Sequence, residues 1–246
     1  MKRLKDLSTI APESMVKDEA KEQLEKYCKR LFSLQNIFYA NKNHSLLIVL
    51  QGMDTSGKDG TIRHVFSHIN PEGCRVKSFK APSDEEQLHD FLWRIYASLP
   101  ERGMIQIFNR SHYEDILFPV VHELINKNEI KGRKKVINEF EDHLNKSNTI
   151  ILKFFLHISR GEQQNRIEKR LNDPNKKWKY NPADKKEAKY WSKYMHAYQS
   201  VIDNCSAKYP WFIIPSDQKW YRNYLIAKTI TEALESLNMK YPDPKF

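Results

Sequence analysis

The residues best suited to chemistry lie together in one short segment, Gly52-Met53-Asp54-Thr55-Ser56-Gly57-Lys58-Asp59-Gly60. This segment fits the pattern GxxxxGK, in which backbone amides surround phosphate oxygens and the lysine adds a positive charge. Glycine lets the backbone approach a phosphate without a Cβ atom in the way. Three of the seven glycines of the chain fall here, so the segment predicts a phosphate-binding loop in which Lys58 contacts the phosphate to be transferred.

The residue after the lysine departs from the usual phosphate loop. Ser or Thr commonly follows the lysine and binds Mg²⁺, whereas this chain has Asp59. The metal ligand must therefore come from another position. Asp54 is the candidate, because a carboxylate inside a phosphate-binding loop repels the phosphate unless a divalent cation lies between them. Thr61 is a weaker substitute, and a tight turn with a solvated lysine is the structural alternative to the whole loop.

A second polar cluster follows the apolar run Met104–Phe108. It reads Asn109-Arg110-Ser111-His112-Tyr113-Glu114-Asp115. Arg110 has the fork of donors that suits phosphate oxygens. Glu114 and Asp115 are candidates for positioning a Mg²⁺-bound acceptor phosphate or its nucleoside, and the alternative is a pair of charges at a helix N-terminus. His112 is expected to pack or to form hydrogen bonds, because phosphoryl transfer to a phosphate needs no general base.

The segment over residues 160–190 stands out by its charge. It has ten basic and five acidic residues, a net +5 that is half of the chain's +10. Turn-forming residues at 173–175 and 181–182 predict two helices joined by a turn, as in a lid. Arg166 and Arg170 share a helix face, with Lys169 beside them. A charged helix face is usually only solvated, but next to a phosphate loop we expect these side chains to contact phosphate.

Parallel strands are predicted to hold these motifs. Five continuous apolar runs are separated by long helix-compatible segments, which is typical of a parallel sheet buried on both faces. The predicted strands are Leu46–Gln51, Arg75–Phe79, Met104–Phe108, Ile150–Ile158 and Trp211–Ile214. The pattern predicts a doubly wound α/β fold. Because ligands bind at the carboxyl ends of such strands, the phosphate loop and the second polar cluster are expected to face each other.

A helical arm is predicted before the first strand. From Lys17 to Phe38, apolar residues recur at three- and four-residue steps, which is the helical period. The arm, over residues 1–44, can pack on the core or on a second subunit. The 246-residue chain has no internal repeat or linker composition, so one domain over residues 1–246 is expected. The aromatic residues Trp178, Trp191 and Tyr194 are expected in the core rather than against a base.

Composition limits the partners and the compartment. The net charge of +10 indicates a polyanionic partner but does not distinguish nucleic acid, lipid and phosphate. The three cysteines are far apart in the sequence and form no metal or redox motif, so a reducing cytoplasm is expected. The chain shows no signal-peptide core and no apolar run of membrane-spanning length, so no membrane partner is expected.

Taken in order, these motifs resemble the polyphosphate kinase 2 family. The resemblance runs from Lys17 to Leu237. It rests on Gly52-x-Asp54-x-x-Gly57-Lys58-x-Gly60, Phe108-Asn109-Arg110-Ser111-His112-Tyr113-Glu114-Asp115, Ile158-Ser159 with Glu162-Gln163 and Arg166 leading to Trp191, and Pro210-Trp211 with Ile214-Pro215 and Lys219-Trp220. Many nucleotide-hydrolysing enzymes share the loop alone. Its Asp54, Asp59 and Gly60, combined with the second polar cluster, are far more specific.

The resemblance implies a fold and an activity. The fold is a three-layer α/β/α P-loop kinase fold of the thymidylate-kinase type, with a parallel sheet and a helical lid over residues 160–190. The activity is reversible transfer of a phosphoryl group from inorganic polyphosphate to the nucleoside diphosphates ADP or GDP and to the monophosphates AMP or GMP, with Mg²⁺ or Mn²⁺. Members of the family form oligomers, which implies a homodimer or homotetramer.

The resemblance also implies roles for individual residues. The implied catalytic residues are Asp54, Lys58, Arg110, Glu114 and Asp115, with Asp54 as the metal ligand. Of the lid residues, Arg166 and Arg170 match basic positions of the family that contact phosphates. From the residues themselves, the loop and the charges near it predict contacts with phosphate or polyphosphate by Gly52, Thr55, Ser56, Gly57, Asp59, Gly60, Thr61, Arg63, Lys80 and Lys169.

Two other functions are compatible with parts of this pattern. An ATP-dependent nucleoside monophosphate kinase has the same fold and lid, although Asp59 and Asn109 stand where ordinary ATP-hydrolysing proteins have Ser or Thr and Asp. A basic nucleic-acid-binding module would use the positive surface, but the concentrated glycines disfavour it, so no nucleic-acid partner is expected. The segment Cys205–Tyr209 departs from the family pattern and leaves the base preference open.

Overall fold

The structure is a computed structural model that describes residues 3–175, 177 and 186–244. A sheet lies at its centre. The strands are β1 Ser45–Gln51, β2 Cys74–Ser78, β3 Ile105–Asn109, β4 Thr149–His157 and β5 Trp211–Pro215. They are parallel and lie in the order β2-β3-β1-β4-β5. All five predicted strands are confirmed, with each end within one residue of the prediction.

Helices cover both faces of this sheet. The α-helices include α1 Lys17–Asn41, α2 Lys58–Val65, α3 Asp84–Gln87, α4 Trp93–Tyr96, α5 Glu114–Val121, α6 Lys127–Lys146, α7 Arg160–Asn172, α8 Trp191–Asn204 and α9 Lys219–Glu235. Successive β1 residues point to opposite faces: Ile48 packs in the core with residues of α1 and α9, and Val49 packs with residues of α5, α6 and α8. The predicted three-layer α/β/α arrangement is confirmed.

The edge strand β2 differs from the prediction. A sheet buried on both faces was the expectation for every strand, and it is wrong here, because Arg75, Val76, Lys77 and Ser78 are exposed. The reason is that β2 is the outer strand of the sheet, with β3 beside it on one side and no further strand of the described sheet on the other. Charged side chains on an edge strand oppose pairing with a strand of another molecule.

Helix α1 confirms the predicted helix over Lys17–Phe38 and packs on the rest of the chain. Leu31 and Phe38 are buried against the sheet face that α9 also covers. Arg30 forms an ion pair with Glu235 on α9, with an N–O distance of 2.7 Å. Of the two predicted packing modes, the structure therefore shows packing on the core of the same chain.

The predicted lid is only partly described. Helix α7 ends at Asn172, and Asp173 after it is extended, in agreement with the predicted break near residues 173–175. Lys176, Trp178, Lys179 and Lys185 lie outside the described residues, as does the second predicted break at residues 181–182. The lid over residues 160–190 stays a prediction.

Two structural observations bear on the expectations about membranes and cysteines that the composition gave. None of the described helices combines the length and the low polarity needed to cross a membrane. All three cysteines are free thiols. Burial raises the pKa of Cys28 and of Cys205 to about 11, and that of Cys74 to about 12. These thiols stay protonated and unreactive at neutral pH.

Replacing Phe38 by Ala tests the packing of α1. The Phe38 side chain is 1% exposed, whereas Phe32 on the same helix is 41% exposed. We expect Phe38→Ala to lower the free energy of unfolding by about 3–5 kcal/mol, because it leaves a cavity in the core. Phe32→Ala is the matched control and should lower it far less. Urea unfolding followed by circular dichroism measures both, and equal losses would contradict the packing described.

Candidate functional site

The phosphate loop joins β1 to α2, and Lys58 is the first residue of that helix. Gly57 precedes it with φ +109°, a conformation that L side chains rarely adopt. The Lys58 ammonium donates to the carbonyls of Gly52 at 2.8 Å and Met53 at 3.3 Å. Burial, together with the positive charge of Arg110, lowers the pKa of Lys58 to about 8. The predicted phosphate-binding lysine thus lies inside the loop.

Side chains hold the five consecutive loop carbonyls from Gly52 to Ser56. Lys58 reaches the first two, and Gln163 Nε2 donates to the third at 3.2 Å. Arg166 donates to the fourth and fifth at 3.0 and 3.1 Å, and Arg222 also donates to the fifth, at 3.2 Å. Because N–H and C=O of a trans peptide point in opposite directions, these contacts also orient the loop amides.

Arg222 explains two of the loop glycines. Its side chain is buried, and a Cβ atom at Gly57 would lie 1.9 Å from its Nη1 atom. A Cβ atom at Gly60 would lie 3.3 Å from Nη2. Burial, with the nearby charge of Arg166, lowers the pKa of Arg222 to about 9. The sequence pattern did not single out Arg222, because it lies 166 residues from its partner Ser56 and carries no local signal.

The Arg166 guanidinium donates to carbonyls of the phosphate loop, and its predicted contact with phosphate stays a prediction. The same group donates to the carbonyls of Ser216 and Asp217, both at 2.7 Å, and to Glu162 Oε1 at 2.7 Å. These acceptors surround the side chain. The hydrogen bonds of Arg166 therefore connect the loop to α7 and to the segment after β5.

The two predicted motifs meet at the carboxyl ends of the neighbouring strands β1 and β3. Arg110 follows β3 with φ +64°, and its Nη2 atom lies 2.5 Å from Asp54 Oδ1. Asn109 Nδ2 donates to Asp59 Oδ1 at 2.8 Å. The carboxylate of Glu114, 3.6 Å from Arg110, raises the pKa of the arginine, which stays charged. The expected facing of the loop and the second polar cluster is observed.

Glu114 and Asp115 begin α5 and point to different surroundings. Glu114 lines the same pocket as Asp54 and Arg110, and burial raises its pKa. Asp115 instead accepts from Arg94 Nη2 at 3.1 Å. Burial raises the pKa of Asp115, and the Arg94 charge opposes this shift. The structure brings Glu114 to the loop but does not bring Asp115 there.

The pocket contains residues from both motifs and from two later segments. Its lining is Gly52, Met53, Asp54, Arg110, Glu114, Gln163, Glu187, Ala188, Tyr194 and Tyr198. Tyr194, predicted for the core, donates its hydroxyl to Glu187 at 2.7 Å. The sequence interpretation gave no site role to six residues of this lining: Met53, Gln163, Glu187, Ala188, Tyr194 and Tyr198. The four-residue spacing of Tyr194 and Tyr198, which gives one helix face, is the signal that could have found the tyrosines.

Four of the predicted phosphate-binding residues lie outside the loop and outside the pocket lining. Arg63, Lys80 and Lys169 are exposed, and Arg170 is half-buried. These four residues are not part of the pocket lining. Their predicted contacts with phosphate stay predictions.

The donor groups near the loop can be compared with the needs of Mg²⁺. Among residues 3–175, 177 and 186–244, no group of three or more His, Cys, Asp or Glu side chains could hold a metal ion. Mg²⁺ in phosphoryl-transfer sites takes one or two carboxylates and completes its shell with substrate phosphates and water. Asp54 supplies a carboxylate, and the buried hydroxyls of Ser56 and Thr61 have no hydrogen-bond partner in the described chain. The Asp54 carboxylate at the pocket thus fits a cation that takes its other ligands from substrate phosphates and water.

The sequence of the chain was compared with known families. Residues 14–242 match the family model described as Polyphosphate kinase 2. The chain belongs to the polyphosphate kinase 2 family. It is 45% identical over 230 residues to the AMP/ADP-polyphosphate phosphotransferase of Meiothermus ruber, covering 93% of this chain and 86% of that protein. It is 43% identical over 240 residues to the ADP-polyphosphate phosphotransferase of Rhodopseudomonas palustris, covering 92% and 83%.

A solved member of the polyphosphate kinase 2 family has the same fold. The crystal structure of polyphosphate kinase 2 from Arthrobacter aurescens TC1 matches with a TM-score of 0.96 and 37% identity, over 100% of this chain and 89% of that chain. The P-loop kinase fold implied by the resemblance is therefore confirmed.

Replacing Gly57 by Ala tests the contact between the loop and Arg222. We expect Gly57→Ala to weaken polyphosphate binding by about tenfold or more, because the φ of +109° strains a residue with a Cβ atom and the new Cβ displaces either Arg222 or the loop. Gly132→Ala is the matched control, since a Cβ atom at Gly132 on α6 meets nothing within 4 Å. Isothermal titration calorimetry with polyphosphate measures both. Unchanged affinity in Gly57→Ala would show that the loop does not need this contact.

Proposed function

We propose that this protein transfers phosphoryl groups reversibly between inorganic polyphosphate and nucleotides, with Mg²⁺ or Mn²⁺ as cofactor. The observation that carries the proposal is the convergence of Asp54, Arg110 and Glu114 on a pocket whose floor, Gly52–Met53, is held by Lys58. The two relatives named above, a phosphotransferase for AMP and ADP and one for ADP, support it.

The chemistry follows from two cations, Arg110 in the pocket lining and Lys58 at the loop carbonyls of its floor. With the terminal phosphate of polyphosphate on the loop, Lys58 and Arg110 neutralise the charge that spreads over its oxygens in the transition state. A phosphate oxygen of the acceptor nucleotide attacks that phosphorus in line, and the bond to the rest of the polyphosphate breaks. The acceptor oxygen is already anionic, so no general base is required.

The cation would be held by Asp54 and would supply positive charge that offsets the negative charge of the phosphates. Asp54 is paired with Arg110 at 2.5 Å, so we expect this pair to rearrange when the cation binds. Glu114 then keeps Arg110 in place from its other side. Asp115 acts through Arg94 and the start of α5 rather than on the reacting atoms.

Polyphosphate capture depends on the surrounding positive charge. The exposed side chains of Arg63, Lys80 and Lys169, with Arg170, extend the positive field beyond the pocket. A chain of phosphates carries about one negative charge per unit, so a basic surface that leads to the loop concentrates it there. Arg166 contributes charge from beneath the loop, where its hydrogen bonds hold it.

We propose that the enzyme accepts both nucleoside diphosphates and monophosphates, ADP or GDP and AMP or GMP. The support is the similarity to the relative named for both AMP and ADP. A homodimer or homotetramer in the cytoplasm completes the proposal. The free, buried or partly buried thiols support a reducing compartment.

Product analysis tests the proposed reaction. We expect the purified protein with Mg²⁺ and polyphosphate to form ATP from ADP, and ADP and ATP from AMP, with no ATP added. Lys58→Ala should lower kcat by about 100-fold or more, because it removes a fixed charge from the transition state. Lys21→Ala, which removes an exposed lysine on α1, is the matched control and should keep full activity. Turnover only from ATP plus a monophosphate would contradict the proposal.

The pH dependence of kcat/KM tests the protonation state of Lys58. Its pKa is lowered to about 8, so the free enzyme carries the ammonium charge below that pH and loses it as the pH rises further. We expect kcat/KM for polyphosphate, which reports the free enzyme, to fall above about pH 8. In Lys58→Arg the guanidinium stays protonated, so any residual activity should lack this alkaline decrease. The same decrease in both proteins would assign it to another group.

A further inference from the structure

A cluster of charged and polar side chains is buried behind the pocket. Lys153 on β4 is 0% exposed and Glu141 on α6 is 1% exposed. The Lys153 ammonium donates to Glu141 Oε2 at 2.6 Å and to the Tyr113 hydroxyl at 3.0 Å. That hydroxyl donates to Glu141 Oε1 at 2.7 Å. We call Lys153, Glu141 and Tyr113 the buried triad, and none of them lines the pocket.

The hydrogen bonds of the buried triad have one consistent arrangement. Burial, with the charge of Glu141, raises the pKa of Tyr113 well above its usual value, so the phenol keeps its proton and donates it to the carboxylate. The Lys153 ammonium has three hydrogens, and its third acceptor is the Cys205 carbonyl at 2.7 Å. Each N–H of the Lys153 ammonium therefore has an acceptor. The ammonium, the Glu141 carboxylate, the Tyr113 hydroxyl and the Cys205 carbonyl restrict one another's orientation.

Stability alone does not account for this arrangement. Well-packed apolar residues of similar volume often give a protein as much stability as a buried ion pair, whereas loss of one partner is strongly destabilising. The ion pair instead fixes the orientation of the side chains that bind to it, because its hydrogen bonds are satisfied only in one geometry. The elements that the buried triad joins therefore have fixed relative positions.

Those elements are the ones that carry the pocket. Tyr113 directly precedes α5, and the pocket residues Arg110 and Glu114 lie three positions before it and one after it. Cys205 directly follows α8, the helix whose Tyr194 and Tyr198 line the same pocket. The Lys153 ammonium thus forms hydrogen bonds to the residue before α5 and to the residue after α8.

We propose that the buried triad positions Arg110 and Glu114 for phosphoryl transfer, with Lys153 as the anchor. This inference rests on the proposed function. Its members are positioning residues, since they act on the substrate only through the backbone and side chains of the pocket.

Tyr113→Phe tests the proposal with the least structural change. The ring, which packs 4.8 Å from that of Trp211, stays in place and only the hydroxyl is lost. We expect kcat with polyphosphate and ADP to fall about tenfold or more, because small displacements of catalytic groups have large effects on rate. KM for polyphosphate should change by less than about threefold, since Lys58 and the exposed basic residues still bind it.

A double variant separates positioning from stability. Lys153→Met leaves Glu141 buried without its partner and should lower Tm, and Lys153→Met/Glu141→Leu should restore much of that loss, because an apolar pair replaces the ion pair. We expect kcat of the double variant to stay about tenfold or more below wild type. Recovery of both Tm and kcat would show that the buried triad is only structural and would overturn the proposal.

Thr149→Val is the matched control on the same strand. The Thr149 hydroxyl is buried at the start of β4 and lies 2.9 Å from that of Ser45, far from the carboxyl ends of the strands. We expect this variant to lower Tm and to leave kcat unchanged. A loss of kcat equal to that in Tyr113→Phe would show that any destabilised core reduces turnover, and it would also overturn the proposal.

A structural measurement distinguishes failure of this proposal from failure of the proposed function. If the wild-type protein does not use polyphosphate, the proposed function fails, but the side-chain NMR signal of Arg110, assigned with Arg110→Lys, still reports its position. We expect this signal to shift or broaden in Tyr113→Phe and to stay unchanged in Thr149→Val. An unchanged signal in Tyr113→Phe would contradict the positioning role whatever the reaction.

Discussion

The conformation of the phosphate loop depends on hydrogen bonds from side chains to its own carbonyl groups. Lys58, Gln163, Arg166 and Arg222 together satisfy the carbonyls from Gly52 to Ser56. Within the loop, the Ser56 N–H also donates to the Met53 carbonyl at 3.0 Å, and buried acceptors without partners are costly. The donors come from α2, α7 and α9, so the loop takes its shape only when these helices have packed around the sheet.

Three of these donors, Lys58, Arg166 and Arg222, are cations beneath the loop. Burial is the main cause of the lowered pKa values of Lys58 and Arg222, and a neighbouring arginine adds to each shift. Two buried cations with depressed pKa values are stabilised when an anion binds between or beside them. These cations favour the binding of an anion at the loop, and the ion pairs with Asp54 and Glu114 hold Arg110 at the pocket.

The local patterns predicted much of this protein because they report backbone geometry and burial. Apolar runs placed all five strands, and the helical period placed α1. The same runs did not distinguish the edge strand β2 from a central strand, because strand order depends on contacts between distant segments. For the same reason the Glu114-Asp115 pair was predicted as a unit, although the two carboxylates point to Arg110 and Arg94 respectively.

The sequence by itself determined the phosphate loop, the polar cluster after β3, the α/β fold and the family, because each depends on residue types at short spacings. Only the tertiary structure decided that Arg166 and Arg222 donate to the loop carbonyls. It also decided that Lys153 is buried against Tyr113, next to the pocket residue Glu114. The partners in these contacts are far apart in the chain, and a long-range contact between two side chains leaves no local pattern. Their roles therefore become visible only when packing brings the partners together.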